Sequence, residues 1–244
     1  MSARLTVATA RRVLGQLHHD PRTIALMLVV PIVLLSLLAW MYGGTDTFDR
    51  IGPALLGVFP FVVMFLVTSV ATLRERTSGT LERLLSMPIA KLDLLIGYAL
   101  AFGAVAIVQA ILAAGVARYG LGLDVAGPLW LLVAVALANG WLGTALGLFV
   151  SAFAATEFQA VQFLPALILP QFLLCGLLVS RDRLPEVLGI VSDGLPLSYA
   201  VDALSRVARD AQPYGEVGGD LLMVLAFTGL ALAGGAATLR RRTA

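Results

Sequence analysis

The sequence is nearly empty of cysteine, lysine and histidine, and poor in charge of either sign. Cys175 is the only cysteine, which excludes an internal disulfide framework and a multi-cysteine metal site. Inside an apolar run it reads as a small buried hydrophobe. His18 and His19 are the only histidines. Adjacent helical residues point about 100° apart, and with only Asp20 beside them no third ligand is in view. They read as a solvated polar face, so no metal site is expected. Lys91 is the only lysine. A P-loop requires Gly-x-x-x-x-Gly-Lys-(Ser/Thr), because its glycine backbone cradles phosphate and its lysine reaches the outer oxygens. Lys91 lies between Ala90 and Leu92, so the motif is absent. The chain is not expected to be an enzyme or to hold a cofactor of its own. Neither Gly-x-Ser-x-Gly nor His-Glu-x-x-His occurs, which removes the usual signatures of an intramembrane hydrolase or protease. Charged residues make up 13% of the 244, about half the share a soluble domain carries. A net charge of +2 gives no electrostatic footprint for nucleic acid.

What the chain does contain is apolar length: 59% of its residues are hydrophobic. Crossing a hydrocarbon core of about 30 Å takes roughly 20 apolar residues in a helix. Runs free of Asp, Glu, Lys, Arg and His predict spans at residues 23–42, 51–73, 94–117, 129–153, 158–180 and 221–239. Backbone groups in lipid must be satisfied within each segment, and the runs lack the alternation of a membrane barrel, so helices follow. The expected fold is an all-α membrane protein with six transmembrane helices, a single domain over 1–244. Residues 1–22 carry Arg4, Arg11 and Arg12 without a short apolar core, so no secretory signal is expected there. Six spans put both termini on one side. That side holds eleven basic residues, including Arg4, Arg11, Arg12, Arg22, Lys91 and Arg240–Arg242, against six on the other. The positive-inside rule makes it the cytoplasm.

Three stretches between the spans carry further signals. In Arg4–His19, Val7, Ala10, Val13, Leu14 and Leu17 fall on one helical face and Arg4, Arg11, Arg12, His18 and His19 on the other, with Leu5 the misfit. This predicts an interfacial amphipathic helix ahead of the first span. The cytoplasmic stretch 74–90 contains Leu81, Leu84 and Leu85 at helical spacing. Thr77 and Ser78 are expected to cap a short helix that Pro88 ends. A leucine face between charged flanks suits a protein partner, though a plain charged loop would also obey the charge rule. In the outer stretch 181–220, Leu184, Val187, Leu188 and Val191 share one face. Pro185 and Pro196 mark two helix starts, and Val201, Leu204 and Val207 oppose Asp202, Arg206 and Arg209. Two short amphipathic helices at, or dipping into, the outer interface are expected.

Within the spans polar groups are few. Gln109, Asn139 and Gln171 are candidate pathway groups, with Thr68 and Thr144 beside them, but such side chains also bond between helices. Ion-driven secondary transport needs ionisable groups near the midplane or broken helices. The runs contain no Asp, Glu, Lys, Arg or His, while Pro31, Pro60, Pro165 and Pro170 could break helices. That reading and a non-transporting assembly subunit stand as alternatives.

Two motifs define a resemblance. Glu75-Arg76-Thr77-Ser78-Gly79-Thr80-Leu81-Glu82 followed by Pro88, and Pro196-Leu197-Ser198-Tyr199-Ala200-Val201-Asp202-Ala203-Leu204 before the last span, together with the amphipathic N-terminal stretch, resemble the membrane subunits of bacterial ABC-2 type drug and lipid exporters. The likeness covers nearly the whole chain. It departs at Arg181-Asp182-Arg183, where the family more often has proline and aromatic residues. The resemblance implies that Arg74, Glu75, Arg76, Gly79, Thr80, Leu81, Glu82, Arg83 and Leu84 form a coupling helix docking a separate ATP-binding subunit. It implies that Pro196, Tyr199 and Asp202 belong to an outer helical pair near the exit. It further implies two ATPase copies carrying ATP and magnesium, a second permease subunit, and a bacterial inner membrane around them. An apolar pathway would suit an amphiphilic or hydrophobic substrate.

Overall fold

A computed structural model describes residues 2–43, 45–86 and 90–238, with only the backbone for Leu81, Glu82 and Leu85. Pro88 and the basic tail Arg240–Arg242 lie outside these residues. The chain begins with α1 (Ala3–His18), α2 (Pro21–Met41), α3 (Thr47–Thr77) and the short α4 (Thr80–Ser86). Next come α5 (Lys91–Gly115), prolonged by a π turn at Val116–Gly120, and α6 (Leu129–Val150). Then α7 (Glu157–Phe163) passes through a second π turn, Leu164–Ile168, into α8 (Leu169–Leu174). Finally α9 (Glu186–Asp193) and α10 (Pro196–Arg209) precede α11 (Tyr214–Thr238). The described residues contain no strand. Six helices are long and apolar enough to span: α2, α3, α5 with its π turn, α6, α7–α8 and α11. The chain is an all-α, multi-pass membrane protein.

Local chemistry sets the boundaries. Asp20 caps α2: its Oδ1 accepts the Thr23 N–H at 3.2 Å and its Oδ2 the Thr23 hydroxyl at 2.6 Å, with Pro21 in the first helical position. These bonds hold the Asp20 carboxyl below its ordinary pKa. Pro165 and Pro170 cannot donate to the helix ladder, and the π turn Leu164–Ile168 lies where they interrupt the fifth span. Exposed Trp40, Tyr119, Trp130 and Tyr214 gather at the end of the bundle away from α4, as aromatic side chains do at a membrane–water interface.

The core is α3 laid against α6. Both are mostly buried, whereas α2, α7–α8 and α11 keep most of their surface outside. On α6, Gly143 and Gly147 let the two backbones touch. A methyl on Gly143 would overlap the Phe61 carbonyl, and one on Gly147 would stand 2.6 Å from that of Phe65. Asn139 Nδ2 donates to the Gly57 carbonyl at 2.9 Å across the same seam. With no hydrophobic drive between helices in lipid, close backbone approach and interhelical hydrogen bonds carry the association. On the other side α10 enters between α3, α6 and α11, with Leu197, Ala200, Ala203, Leu204 and Val207 all fully buried. It meets α9 at a bend of 91°.

Helix α1 packs on α5 with part of its apolar face, Ala10, Val13 and Leu17, together with two threonines. Thr6, Thr9, Ala10, Val13 and Leu17 are buried, whereas Val7 is 61% and Leu14 37% exposed. The reason is Gly97 on α5, whose missing side chain admits Thr9 and the Thr6 carbonyl. Thr9 and the Thr6 carbonyl fill that crossing, and Val7 and Leu14 lie on the outer side of the helix. Asp93, buried at the start of α5, accepts the Ser2 N–H at 3.1 Å and the Thr6 hydroxyl at 3.4 Å, fixing the other end of α1.

Overpacking a tight seam costs about 1–3 kcal/mol. Gly143→Val is expected to lower the thermal unfolding midpoint in detergent by several degrees. Gly229→Ala, where an added methyl meets nothing within 4 Å, should leave it unchanged or raise it. Equal losses in the two variants would remove the α3–α6 seam from its central place.

Candidate functional site

The last residues of α3 and the turn into α4 form the most densely connected polar site of the described chain. Arg74, Glu75 and Arg76 project about 100° apart, so each meets a different neighbour. Arg74 forms a bidentate ion pair with Glu157 in the first turn of α7, at 2.8 and 3.0 Å. Arg76 donates to the carbonyls of Ser151 and Ala152 at 2.9 and 2.8 Å, a cation on the negative end of α6. Glu75 turns inward. It accepts two bonds from Arg12 of α1, at 2.7 and 3.1 Å, and one from the Tyr98 hydroxyl of α5. Arg12 also donates to the Tyr98 oxygen at 2.9 Å. Glu75 is 12% exposed at its side chain and Tyr98 1% exposed overall. Burial works against the Arg12 charge, but the bonds and charges of Glu75 and Tyr98 outweigh it and raise the Arg12 pKa.

Beyond Arg76 the chain turns at Gly79, with φ +73°. Nothing lies within 4 Å of where a Cβ would be, so conformation, not space, calls for glycine here. Thr77 and Ser78 end α3 instead of capping α4. The Thr77 hydroxyl returns to the Leu73 carbonyl at 3.2 Å, and Ser78 N–H to that of Arg74 at 3.0 Å. A glycine able to enter the left-handed region makes that helix end the stronger stop. The Arg83 N–H bonds the Gly79 carbonyl at 3.1 Å and opens α4, which carries Thr80, Leu81, Glu82, Arg83 and Leu84. Arg83 is exposed and Leu84 leans on the core near α1 and α5. The side chains of Leu81 and Glu82 lie outside the described set. The predicted residues thus divide: Glu75 and Arg76 lock the helix end inward, and α4 projects from an elbow.

At the opposite end Pro196 is the first residue of α10. The Tyr199 hydroxyl donates to the Asp193 carbonyl at 2.6 Å. Asp202 pairs with Arg181, which also pairs with Asp193 and lies over the Tyr199 ring at 5.8 Å. The Arg181-Asp182-Arg183 segment therefore supplies the cation that ties α9 to α10. That partnership was invisible in the sequence, since Arg181 and Asp202 belong to different predicted elements. Around this cluster lies a polar cavity of about 1130 Å³.

The candidate pathway groups do not converge. Gln109 is buried on α5, its amide without a partner among the described residues. Asn139 bridges to α3, and Gln171 donates to the Leu167 carbonyl at 3.0 Å while accepting the Leu197 N–H at 3.4 Å. None of the three lines the large apolar groove of about 910 Å³ between α2, α3 and α7–α8. Its wall is made of residues such as Met27, Leu34, Val63, Leu169 and Phe172, with Gln16, Asp20, Thr23 and Arg74 at the mouth. Among the described residues no three His, Cys, Asp or Glu side chains gather as a metal site.

Comparison with known proteins bears on this arrangement. The ABC-2 type transporter family profile matches residues 4–207. The chain is 26% identical over 178 residues to the probable multidrug ABC transporter permease YbhS of Escherichia coli strain K12, across 72% of this chain and 47% of that protein. It is 22% identical over 236 residues to the linearmycin resistance permease protein LnrN of Bacillus subtilis, across 96% of this chain and 58% of that one. ABC transporter G family member 20 of Dictyostelium discoideum matches at 24% over 169 residues, 68% of this chain and 23% of that protein. The chain spans only part of the length of each.

Removing one partner of a largely buried ion pair leaves the other desolvated. Arg12→Ala is expected to destabilise the protein by about 2 kcal/mol, a value reduced because Arg12 keeps some solvent contact. Glu75→Gln should act on the same lock. Thermal unfolding of both single variants and the double variant checks this, since the double loss should fall well short of the sum; simple additivity would mean the residues act separately.

Proposed function

The chain belongs to the ABC-2 type transporter family, and from that premise we propose that it is the membrane-spanning subunit of an ATP-driven exporter. In this reading α4 is the coupling helix and a separate ATP-binding subunit grips it from the cytoplasm. Two ATPase copies serve a pair of permease subunits in a bacterial inner membrane, with both termini in the cytoplasm. ATP and magnesium belong to the partner; no residue of this chain is assigned to hold them.

One observation carries the reading: α4 hangs from an elbow whose three preceding side chains grip four helices. Displacement of α4 pulls on the end of α3. Glu75 passes it to α1 and α5, Arg76 to α6, and Arg74 to α7. A rigid charged fan transmits motion where a flexible loop would absorb it. The ATPase pair changes shape on binding ATP, and its differing affinity for the two arrangements of α4 supplies the bias. The opposite end responds as a unit, because Arg181 joins α9 to α10 and α10 is wedged against α3 and α6.

The substrate class follows from the groove beside α3. Its wall is almost wholly aliphatic and aromatic, and polar groups are confined to its α4-end mouth. Such a surface favours an amphiphile or apolar drug reached from the inner leaflet over an ion or a sugar. Relatives named for multidrug transport and for linearmycin resistance agree with export of such compounds.

Arg83 is exposed on α4, so Arg83→Glu alters the docking surface without touching the fan. Tagged wild-type chain co-expressed with the ATPase encoded beside it should retain that ATPase on affinity purification. Arg83→Glu should lower retention about tenfold with an unchanged unfolding midpoint. A wild-type chain that captures no ATPase would sink the exporter reading.

A further inference from the structure

Helix α1 turns a patterned surface away from the bundle. With its threonine face spent on α5, the exposed half divides into two strips along the axis. Ala3, Val7 and Leu14 make an apolar strip, and Arg4, Arg11 and His18 a polar one beside it. Neither Arg4 nor Arg11 has an intrachain hydrogen bond or ion pair among the described residues. Arg12, the third arginine of the helix, is the one turned inward to Glu75. Helix α1 runs into the first span within three residues, through Asp20 and Pro21. Its exposed half is therefore held at the depth where acyl chains give way to headgroups.

We propose that this half of α1 is a docking surface for anionic phospholipid, with Val7 and Leu14 entering the acyl boundary and Arg4 and Arg11 holding headgroup phosphate. Charge complementarity names the occupant. A zwitterionic surface would satisfy Val7 and Leu14 but gives two unpaired guanidiniums no net attraction, whereas each basic residue near an anionic leaflet adds substantially to binding. Arginine suits the role because its planar fork meets phosphate with two parallel bonds. The surface also has an inward connection. Arg11 is followed directly by Arg12, which points about 100° away and holds Glu75, so lipid bound outside bears on the helix that steadies the α3 end. The lipid binding itself is independent of the exporter reading.

Hydrogen exchange on the full-length chain tests it. The wild type and an Arg4→Gln/Arg11→Gln variant are placed in nanodiscs of phosphatidylcholine alone or of phosphatidylcholine mixed with phosphatidylglycerol. Phosphatidylglycerol should slow amide exchange over Ala3–His18 in the wild type about tenfold, with α9 as an unaffected reference. The variant should lose that slowing while matching the wild type in pure phosphatidylcholine, which shows that α1 still folds and packs. Exchange in the wild type that ignores lipid charge would mean the arginines are merely solvated, and the proposal fails. It fails equally if the variant keeps the full effect, or if free glycerol phosphate added to phosphatidylcholine discs reproduces it, since the ligand would then be a soluble anion. Because the readout involves neither ATPase nor transport, failure of this proposal leaves the exporter reading untouched.

Discussion

Gly143 and Gly147 place the backbone of α6 directly against the carbonyls of Phe61 and Phe65 on α3, and most other features follow from that contact. In water such a seam would be a modest addition to hydrophobic burial. In a bilayer the surrounding lipid is as apolar as leucine, so helices gain little by hiding aliphatic side chains from it. Close approach multiplies dispersion contacts instead. It also fixes the axial register of α3 and α6, which is why Asn139 finds Gly57 and Arg76 finds the terminal carbonyls of α6. On the far side, the pocket formed by the pair receives α10.

Electrostatics then builds on a frame already set. Arg74, Glu75 and Arg76 would be three unremarkable charges on a free helix. Held at the end of α3, they become three anchors, each differently exposed. The outermost, Arg74 with Glu157, is solvated and contributes little to stability. The innermost, Glu75 with Arg12 and Tyr98, is shielded and costly to open. The site combines a firm attachment with a loose one. Glycine at position 79 supplies the change of direction, and α4 is left projecting from it.

Much of this architecture was readable from sequence. Six charge-free runs of sufficient length gave the spans, because lipid permits little else. The short helix α4 was legible from its leucines at helical spacing, and Pro196 as a helix start. The facing of α1 was not. Hydrophobicity ranks Val7 and Leu14 above Thr6 and Thr9, but the rotation of α1 is set by its close approach to Gly97, some ninety residues away. The inward lock of Glu75 was hidden for the same reason: its partners Arg12 and Tyr98 are distant in sequence. The polar residues of the spans left two readings open in the sequence, pathway group or interhelical bond. Asn139 bonds the Gly57 carbonyl and Gln171 accepts from the Leu197 amide, partners that lie far away in the sequence. Tertiary partners are what a linear pattern cannot supply.

The interruption in the fifth span has a consequence for register. A π turn holds one residue more than an α turn, and the one at Leu164–Ile168 divides α7 from α8. Expelling that extra residue would rotate α8 by about 100° about its own axis, while α7 stayed pinned by Glu157. Gln171 would swing away from the Leu197 amide it now accepts from, and the wall that Leu169 and Phe172 give to the groove would present different side chains. Such a change of register would alter the groove wall on the α8 side while leaving the α7 side as it is.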